Sequence, residues 1–178
     1  NNADACANLA INYSQGDGVE KDIEKYIALT KKSCGLGGEV ACKDIGGHYD
    51  DTGDMEQSLE YYLKACELNS GYGCQQSAWK YSEDLGDKID FAQAHIYNIK
   101  ACDLENGAAC NNLGRAYIGY SDTPDPDVEI DKPKGLKLLA RACNDYEIAS
   151  ACAAAGYAYD DGDGVDKDEA FVQLFEEE

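Results

Sequence analysis

Nine cysteines, one Ser-x-x-Lys, two histidines and 35 carboxylates are the residues of this 178-residue chain that could do chemistry. Ser77 and Lys80 have the spacing in which a lysine amine can take the proton of a serine nucleophile. With eight serines and thirteen lysines, one such spacing is about what chance supplies, and no Lys-Thr-Gly or Ser-Asp-Asn accompanies it. No Gly-x-Ser-x-Gly, His-Glu-x-x-His or phosphate-binding glycine loop occurs, and His48 and His95 occupy unrelated positions expected at the surface. Two acidic loops have calcium-ligand chemistry: Asp160, Asp161 and Asp163 with Asp166 and Asp168, and Asp125, Asp127, Glu129 and Asp131. Neither has the EF-hand register, and a solvated charge run explains both. No cofactor and no metal are expected.

The cysteines carry the stronger signal. They fall as Cys34 with Cys42, Cys66 with Cys74, Cys102 with Cys110, and Cys143 with Cys152, leaving Cys6 over. Structural zinc sites place two to four residues between ligands and usually include histidine, so these wider pairs read as disulfides of an oxidising compartment.

Taking Cys6 and the second cysteine of each pair as origins exposes a repeat. Tyr13, Tyr49, Tyr81, Tyr117 and Tyr159 stand seven residues later, and Ala10, Gly46, Ala78, Gly114 and Gly156 stand four later. Spacings of four and seven share one helical stripe, where a small residue lets a neighbouring helix approach closely. This pattern defines an A helix in each repeat. A B helix precedes each pair: Ile23–Cys34, Leu59–Cys66, Phe91–Cys102 and Leu136–Cys143, with Leu29, Tyr61, Tyr97 or Leu138 five before the cysteine and Ser33, Ala65, Ala101 or Ala142 just before it.

Breaker-rich segments join A to B: Gly16-Asp17-Gly18, Thr52-Gly53-Asp54, Gly86-Asp87 and Gly162-Asp163-Gly164. Glycine C-caps followed by acidic N-caps account for them. From B to A the chain must turn, because eight residues of straight helix separate two α-carbons by about 12 Å, too far for a disulfide. Gly35–Gly38, Asn69–Gly71 and Asn106-Gly107 supply those turns. The expected architecture is all-α, an α/α solenoid of about four and a half hairpins (roughly 1–37, 38–69, 70–105, 106–146 and 147–178) in one domain over 1–178. Pro124 and Pro126 rule out continuous helix in the insertion Ser121–Glu129.

Charge narrows the partners. Only 15 basic residues oppose the 35 acidic ones, a net of -20, which disfavours nucleic acid and anionic membranes. No apolar run approaches the length of a membrane span, and Asn1-Asn2-Ala3-Asp4 does not read as a leader. The partnerless Cys6 is expected to be free, intermolecular, or paired with an upstream helix.

The run Cys110-Asn111-Asn112-Leu113-Gly114-Arg115-Ala116-Tyr117 is similar to the start of a tetratricopeptide repeat. Gly16-Asp17-Gly18-Val19-Glu20-Lys21-Asp22, Lys64-Ala65-Cys66-Glu67-Leu68 and Gly162-Asp163-Gly164-Val165-Asp166-Lys167-Asp168-Glu169-Ala170 resemble Sel1-like repeats more fully. With its paired cysteines, the chain resembles the cysteine-rich secreted Sel1-like proteins of Helicobacter and relatives. That resemblance implies a secreted or periplasmic place and, as an alternative function, beta-lactam binding or weak hydrolysis at Ser77 and Lys80. The mitochondrial cytochrome c oxidase assembly factor 7 is similar in its paired cysteines and closing acidic run, which implies the intermembrane space as an alternative compartment.

Tetratricopeptide grooves place ligand-facing residues two positions after the cysteine-equivalent, here Asn8, Asp44, Gln76 and Asn112. Three residues further on the same helix face stand Ile11, Gly47, Trp79, Arg115 and Tyr157, of which Trp79, Arg115 and Tyr157 are hot-spot types. The leading functional expectation is a monomeric adaptor that holds a basic protein or peptide, for example as an immunity-type inhibitor of a cationic toxin.

A closed loop of about nine residues is worth about 2.5 kcal/mol per bridge on the chain-entropy account, so four rival a domain's net stability of about 5–15 kcal/mol. Strong reductant at neutral pH is therefore expected to lower the melting temperature sharply; an unchanged calorimetric melt would contradict this.

Overall fold

Local chemistry starts and stops each helix. The computed structural model describes residues 2–84, 89–120 and 128–160. Among the described residues the elements are all helical: α1 (Ala3–Gln15), α2 (Ile23–Gly35), α3 (Glu39–Thr52), α4 (Met55–Glu67), α5 (Gly71–Trp79), a π-helical turn (Lys80–Asp84), α6 (Phe91–Asp103), α7 (Gly107–Ile118), α8 (Lys132–Asn144) and α9 (Ala149–Asp160). Odd-numbered helices are the A helices and even-numbered the B helices. The Gly86-Asp87 loop, the part of the insertion spanning 121–127, everything after Asp160 and the side chain of Tyr159 lie outside the described residues.

The caps repeat as faithfully as the cysteines. Gly16, Gly53 and Gly119 close α1, α3 and α7 in left-handed conformation. Asp22, Asp54, Asp90 and Asp131 then open the four B helices, each carboxylate accepting a backbone N–H three residues on. These caps start α4 at Met55 and α8 at Lys132, a full turn before the starts read from apolar spacing alone. One A helix also departs from expectation. The α-helical part of α5 ends at Trp79, and the stretch carrying Tyr81 continues as the π turn.

The chain divides into two compact units, Asn1–Ile89 and Asp90–Glu178. In the first, α1 packs on α2, α3 on α2 and α4, and α5 on α4; in the second, α7 packs on α6 and α8, and α9 on α8. Disulfides tie the B-to-A steps: Cys34–Cys42 and Cys66–Cys74 in the first unit, Cys102–Cys110 and Cys143–Cys152 in the second, with α-carbons 4.5 to 4.9 Å apart. Cys6 is half-buried and unbonded.

Gly37, Asn69, Glu105 and Glu147 take the left-handed conformation that reverses the chain at each step. The third turn thus rests on Glu105 rather than on Asn106-Gly107. Asn106 caps α7 through the Ala109 N–H, and Gly107 is needed for space, since a Cβ there would strike the ring of Tyr146.

Small residues set the hairpin contact. A Cβ on Gly46 would lie 2.9 Å from Tyr62 Cδ1, and one on Gly114 would lie 2.6 Å from Leu139 Cγ and 2.9 Å from the Gly135 carbonyl. Gly135 answers from the other side, where a Cβ would lie 2.6 Å from Ile118 Cγ2. The B-helix residue seated against this stripe is four before the cysteine. There Thr30, Tyr62 and Leu139 are buried more deeply than their neighbours Leu29, Tyr61 and Leu138.

Replacing Gly114 by valine overfills a contact with no slack, for a cost of about 2–3 kcal/mol. Replacing Glu147 by glycine relieves a left-handed non-glycine residue and is expected to raise stability by about 1 kcal/mol. Urea unfolding of both variants checks the pair of signs.

Candidate functional site

Ser77 and Lys80 are both fully buried, at 0% exposure. The Ser77 hydroxyl donates to the Gly73 carbonyl at 2.8 Å, one helical turn back. Lys80 Nζ turns away from it to an ion pair with Asp50 at 2.5 Å and a contact with Met55 Sδ at 3.1 Å. Asp50 also accepts from Ser58 at 2.5 Å and from the Tyr62 phenol at 2.9 Å. Burial pushes the Asp50 carboxyl up, but the hydrogen bonds from Lys80, Ser58 and Tyr62 and the Lys80 charge outweigh it and hold the group below its ordinary value of 3.8. Tyr62 is driven the other way by its own burial and by the Asp50 bond. This cluster joins α3, α4 and the π turn as a strut. A serine nucleophile must present its oxygen to a substrate, and this hydroxyl is enclosed.

The A-helix face holds the residues read from the sequence as ligand-facing. Asn8, Asp44 and Asn112 are exposed; Gln76 is half-buried and donates to Gln75 Oε1 at 3.0 Å. Five residues after each cysteine, Ile11, Trp79 and Tyr157 are 44%, 39% and 69% exposed. The Trp79 indole N–H donates to Glu83 Oε2 at 3.0 Å, and Lys80 Nζ lies 4.7 Å from its ring centre. Arg115 is held by its own helix end, Nε and Nη2 donating to the Tyr120 carbonyl at 3.2 and 3.1 Å.

In the first unit, α1, α3 and α5 with the start of α2 enclose a groove of 860 Å³. Its walls include Ile11, Tyr26, Asp44, His48, Asp51 and Tyr72, with Gly47 and Tyr62 also lining it. His48 stands edge-on to Tyr26 with ring centres 6.4 Å apart, and Tyr72 edge-on to Tyr62 at 6.1 Å. Although Asp44 is exposed as a whole residue, partial loss of water around its carboxyl raises that group above its ordinary value, Lys43 drawing it back and Glu39 adding to the rise. Burial, and then the Asp44 charge, raise the Tyr26 phenol. The second unit has a cavity of 1010 Å³ where Tyr117 accepts from Lys134 Nζ at 2.7 Å and lies 3.3 Å from His95 Nε2. Both histidines, expected to be plain surface residues, are half-buried against tyrosines beside these openings. Their different repeat positions hid this from the spacing, which finds only what recurs.

Repeated helical hairpins, glycines at the α3–α4 and α7–α8 crossings and sulfur bridges at the four B–A steps define a disulfide-clamped helical-repeat protein of the all-α solenoid class. Residues 3–37, 46–70, 107–145 and 149–171 match the Sel1 repeat, more than half of the chain, so the chain belongs to the Sel1 repeat family. The crystal structure of a Sel1 repeat protein from Oxalobacter formigenes is similar, with a TM-score of 0.72 and 26% identity over 98% of this chain and 71% of that one. A protective antigen present in uropathogenic Escherichia coli strains, displaying an SLR fold, has the same TM-score of 0.72 at 23% identity. That alignment covers 97% of this chain and 37% of the antigen, and it bears on the fold alone. No curated protein matches the chain. Sel1 repeat proteins are generally protein-interaction scaffolds.

Because the Asp50 carboxyl is lowered on folding, its contribution to stability is present above 3.8 and is lost as pH falls below that value. Lys80→Ala removes the cation and leaves the carboxylate short of a partner, for a loss of about 3 kcal/mol at neutral pH. Its urea midpoint is expected to fall less than that of the unsubstituted chain on acidification below 3.8. Parallel acid limbs would contradict the strut.

Proposed function

We propose that this chain is a protein-binding scaffold of an oxidising compartment that captures a basic protein or peptide through the exposed residues of its A helices. One observation carries the reading. The repeat position five after the cysteine, which packing leaves free, presents large apolar or aromatic side chains to solvent in α1, α5 and α9. Exposed tryptophan and tyrosine supply contact area at low entropic cost, the mark of a recognition surface. Asn8, Asp44, Gln76 and Asn112 lie two positions after the cysteines, where amides and a carboxylate can pair with an extended backbone. The formal net charge of -20 selects for a cationic partner and opposes nucleic acid. An immunity-type inhibitor of a cationic toxin is one concrete form of this activity, with the chain acting as a monomer.

Four disulfides favour a secreted or periplasmic setting, with the mitochondrial intermembrane space as the alternative. Among the described residues no helix is long and apolar enough to cross a membrane. The enclosed Ser77 hydroxyl and the ion pair of Lys80 weigh against the beta-lactam reading.

Combining Trp79→Ala with Tyr157→Ala tests the surface, Arg115 being left in place because it closes its own helix. The unsubstituted chain is expected to retain a basic partner that salt elutes, and the double variant, with an unchanged melt, to lose at least about 30-fold in affinity. Equal retention by both would remove the A-helix face from the proposal.

A further inference from the structure

The groove of the first unit exists because one repeat breaks the pattern of its neighbours. Position five after the cysteine carries isoleucine in α1 and tryptophan in α5 but glycine, Gly47, in α3. A Cβ built on Gly47 would have the Tyr62 phenol oxygen, 3.6 Å away, as its near neighbour, so the space above this residue is open. A notch therefore opens in α3, walled by Ile11 on one side and by Tyr72, 46% exposed, on the other. Asp44 and Asp51, two turns apart on α3, stand above and below it, each facing the groove. Among the described residues neither carboxylate has an ion-pair partner. Tyr26 and Tyr72 add aromatic surface, and the hydroxyl of Tyr62 at the floor is already committed to Asp50.

We infer that this notch reads an arginine side chain of an extended basic segment. The inference rests on the capture of a basic partner proposed above and gives it a subsite. A guanidinium is flat and weakly hydrated, so it lies against tyrosine faces more readily than an ammonium does. Its five donors reach carboxylates on more than one side, which a notch flanked by Asp44 and Asp51 provides. An apolar ligand would strip water from both carboxylates and return nothing. An anionic ligand would meet two carboxylates against one cation, Lys43.

The test measures fluorescence anisotropy of a labelled Gly-Arg repeat peptide, its citrulline counterpart and its lysine counterpart with the full chain. Citrulline keeps the shape of arginine without its charge. Binding of the arginine peptide is expected to be at least about tenfold tighter than that of the citrulline peptide, with lysine between. Gly47→Leu fills the notch and keeps the charge; Asp44→Asn with Asp51→Asn removes the charge and keeps the notch. Each is expected to weaken the arginine peptide about tenfold, whereas Glu67→Gln with Asp103→Asn, the same loss of charge at exposed sites outside the groove, changes it less than about threefold. Equal weakening by the groove pair and the distant pair, or tight binding by Gly47→Leu, would overturn the subsite and leave the scaffold standing. Equal affinity of the unsubstituted chain for the arginine and citrulline peptides would sink the basic partner and the subsite together.

Discussion

The structure depends on a sulfur–sulfur bond that binds the end of each B helix to the beginning of the next A helix. Its importance follows from what the core lacks. Among the described residues the buried ones are chiefly alanine, cysteine, glycine and serine, with Tyr62, Lys80, Ile45 and Leu139 as the large side chains most completely enclosed. Small side chains bury little apolar area each, and at roughly 25 cal/mol per Å² a core of this composition gains less than one built from leucine and phenylalanine. A net charge of -20 adds self-repulsion. Cross-links that limit the unfolded chain offset both deficits at once. The small-residue core and the four disulfides thus complement each other.

The small core has a second consequence. Where Gly46 meets Tyr62, or Gly114 meets Gly135 and Leu139, the helices approach so closely that little freedom in crossing remains. The aspartate N-caps and left-handed glycines bring the chain into each crossing at a set point. Local signal and tertiary contact agree, which is the condition under which a sequence is legible. The cysteine, glycine and alanine spacings, the capping loops at Gly16-Asp17-Gly18 and Thr52-Gly53-Asp54 and the four pairings could be read beforehand because the pattern recurs every 32 to 42 residues.

What could not be read is what occurs once. Leu29, Tyr61 and Leu138 stand out by size, yet the residue one place on is the more deeply buried, a difference of about 100° around the axis that apolar content does not resolve. Lys80 is a further case. A lysine at a repeat position held elsewhere by Asn12, His48, Ala116 and Ala158 carries no sign of burial. It becomes buried because Asp50, itself held by Ser58 and Tyr62, and Met55 meet it from other helices and the π turn seats it against them. The glycine at position 47 was read only as one member of a series. Its meaning comes from contrast with Ile11 and Trp79 across space.

Repeat proteins separate two kinds of position, and this chain shows how far that goes. In α3, α5 and α7 the residues at the cysteine, four after it and just before it are buried in helix contact, and they are all Cys, Gly or Ala. The residue five after the cysteine lies on the opposite side of that constraint, and here it is Ile, Gly, Trp, Arg and Tyr in turn. Such diversity at one geometrically equivalent place costs the fold little, because no neighbouring helix is shaped around it. Ser77 and Lys80 stand at other repeat positions but are just as enclosed here, one closed against its own helix and the other against Asp50. A pair of residues whose spacing matches a catalytic motif is thereby part of the frame, and the chemistry this surface can offer lies in the positions that the frame leaves free.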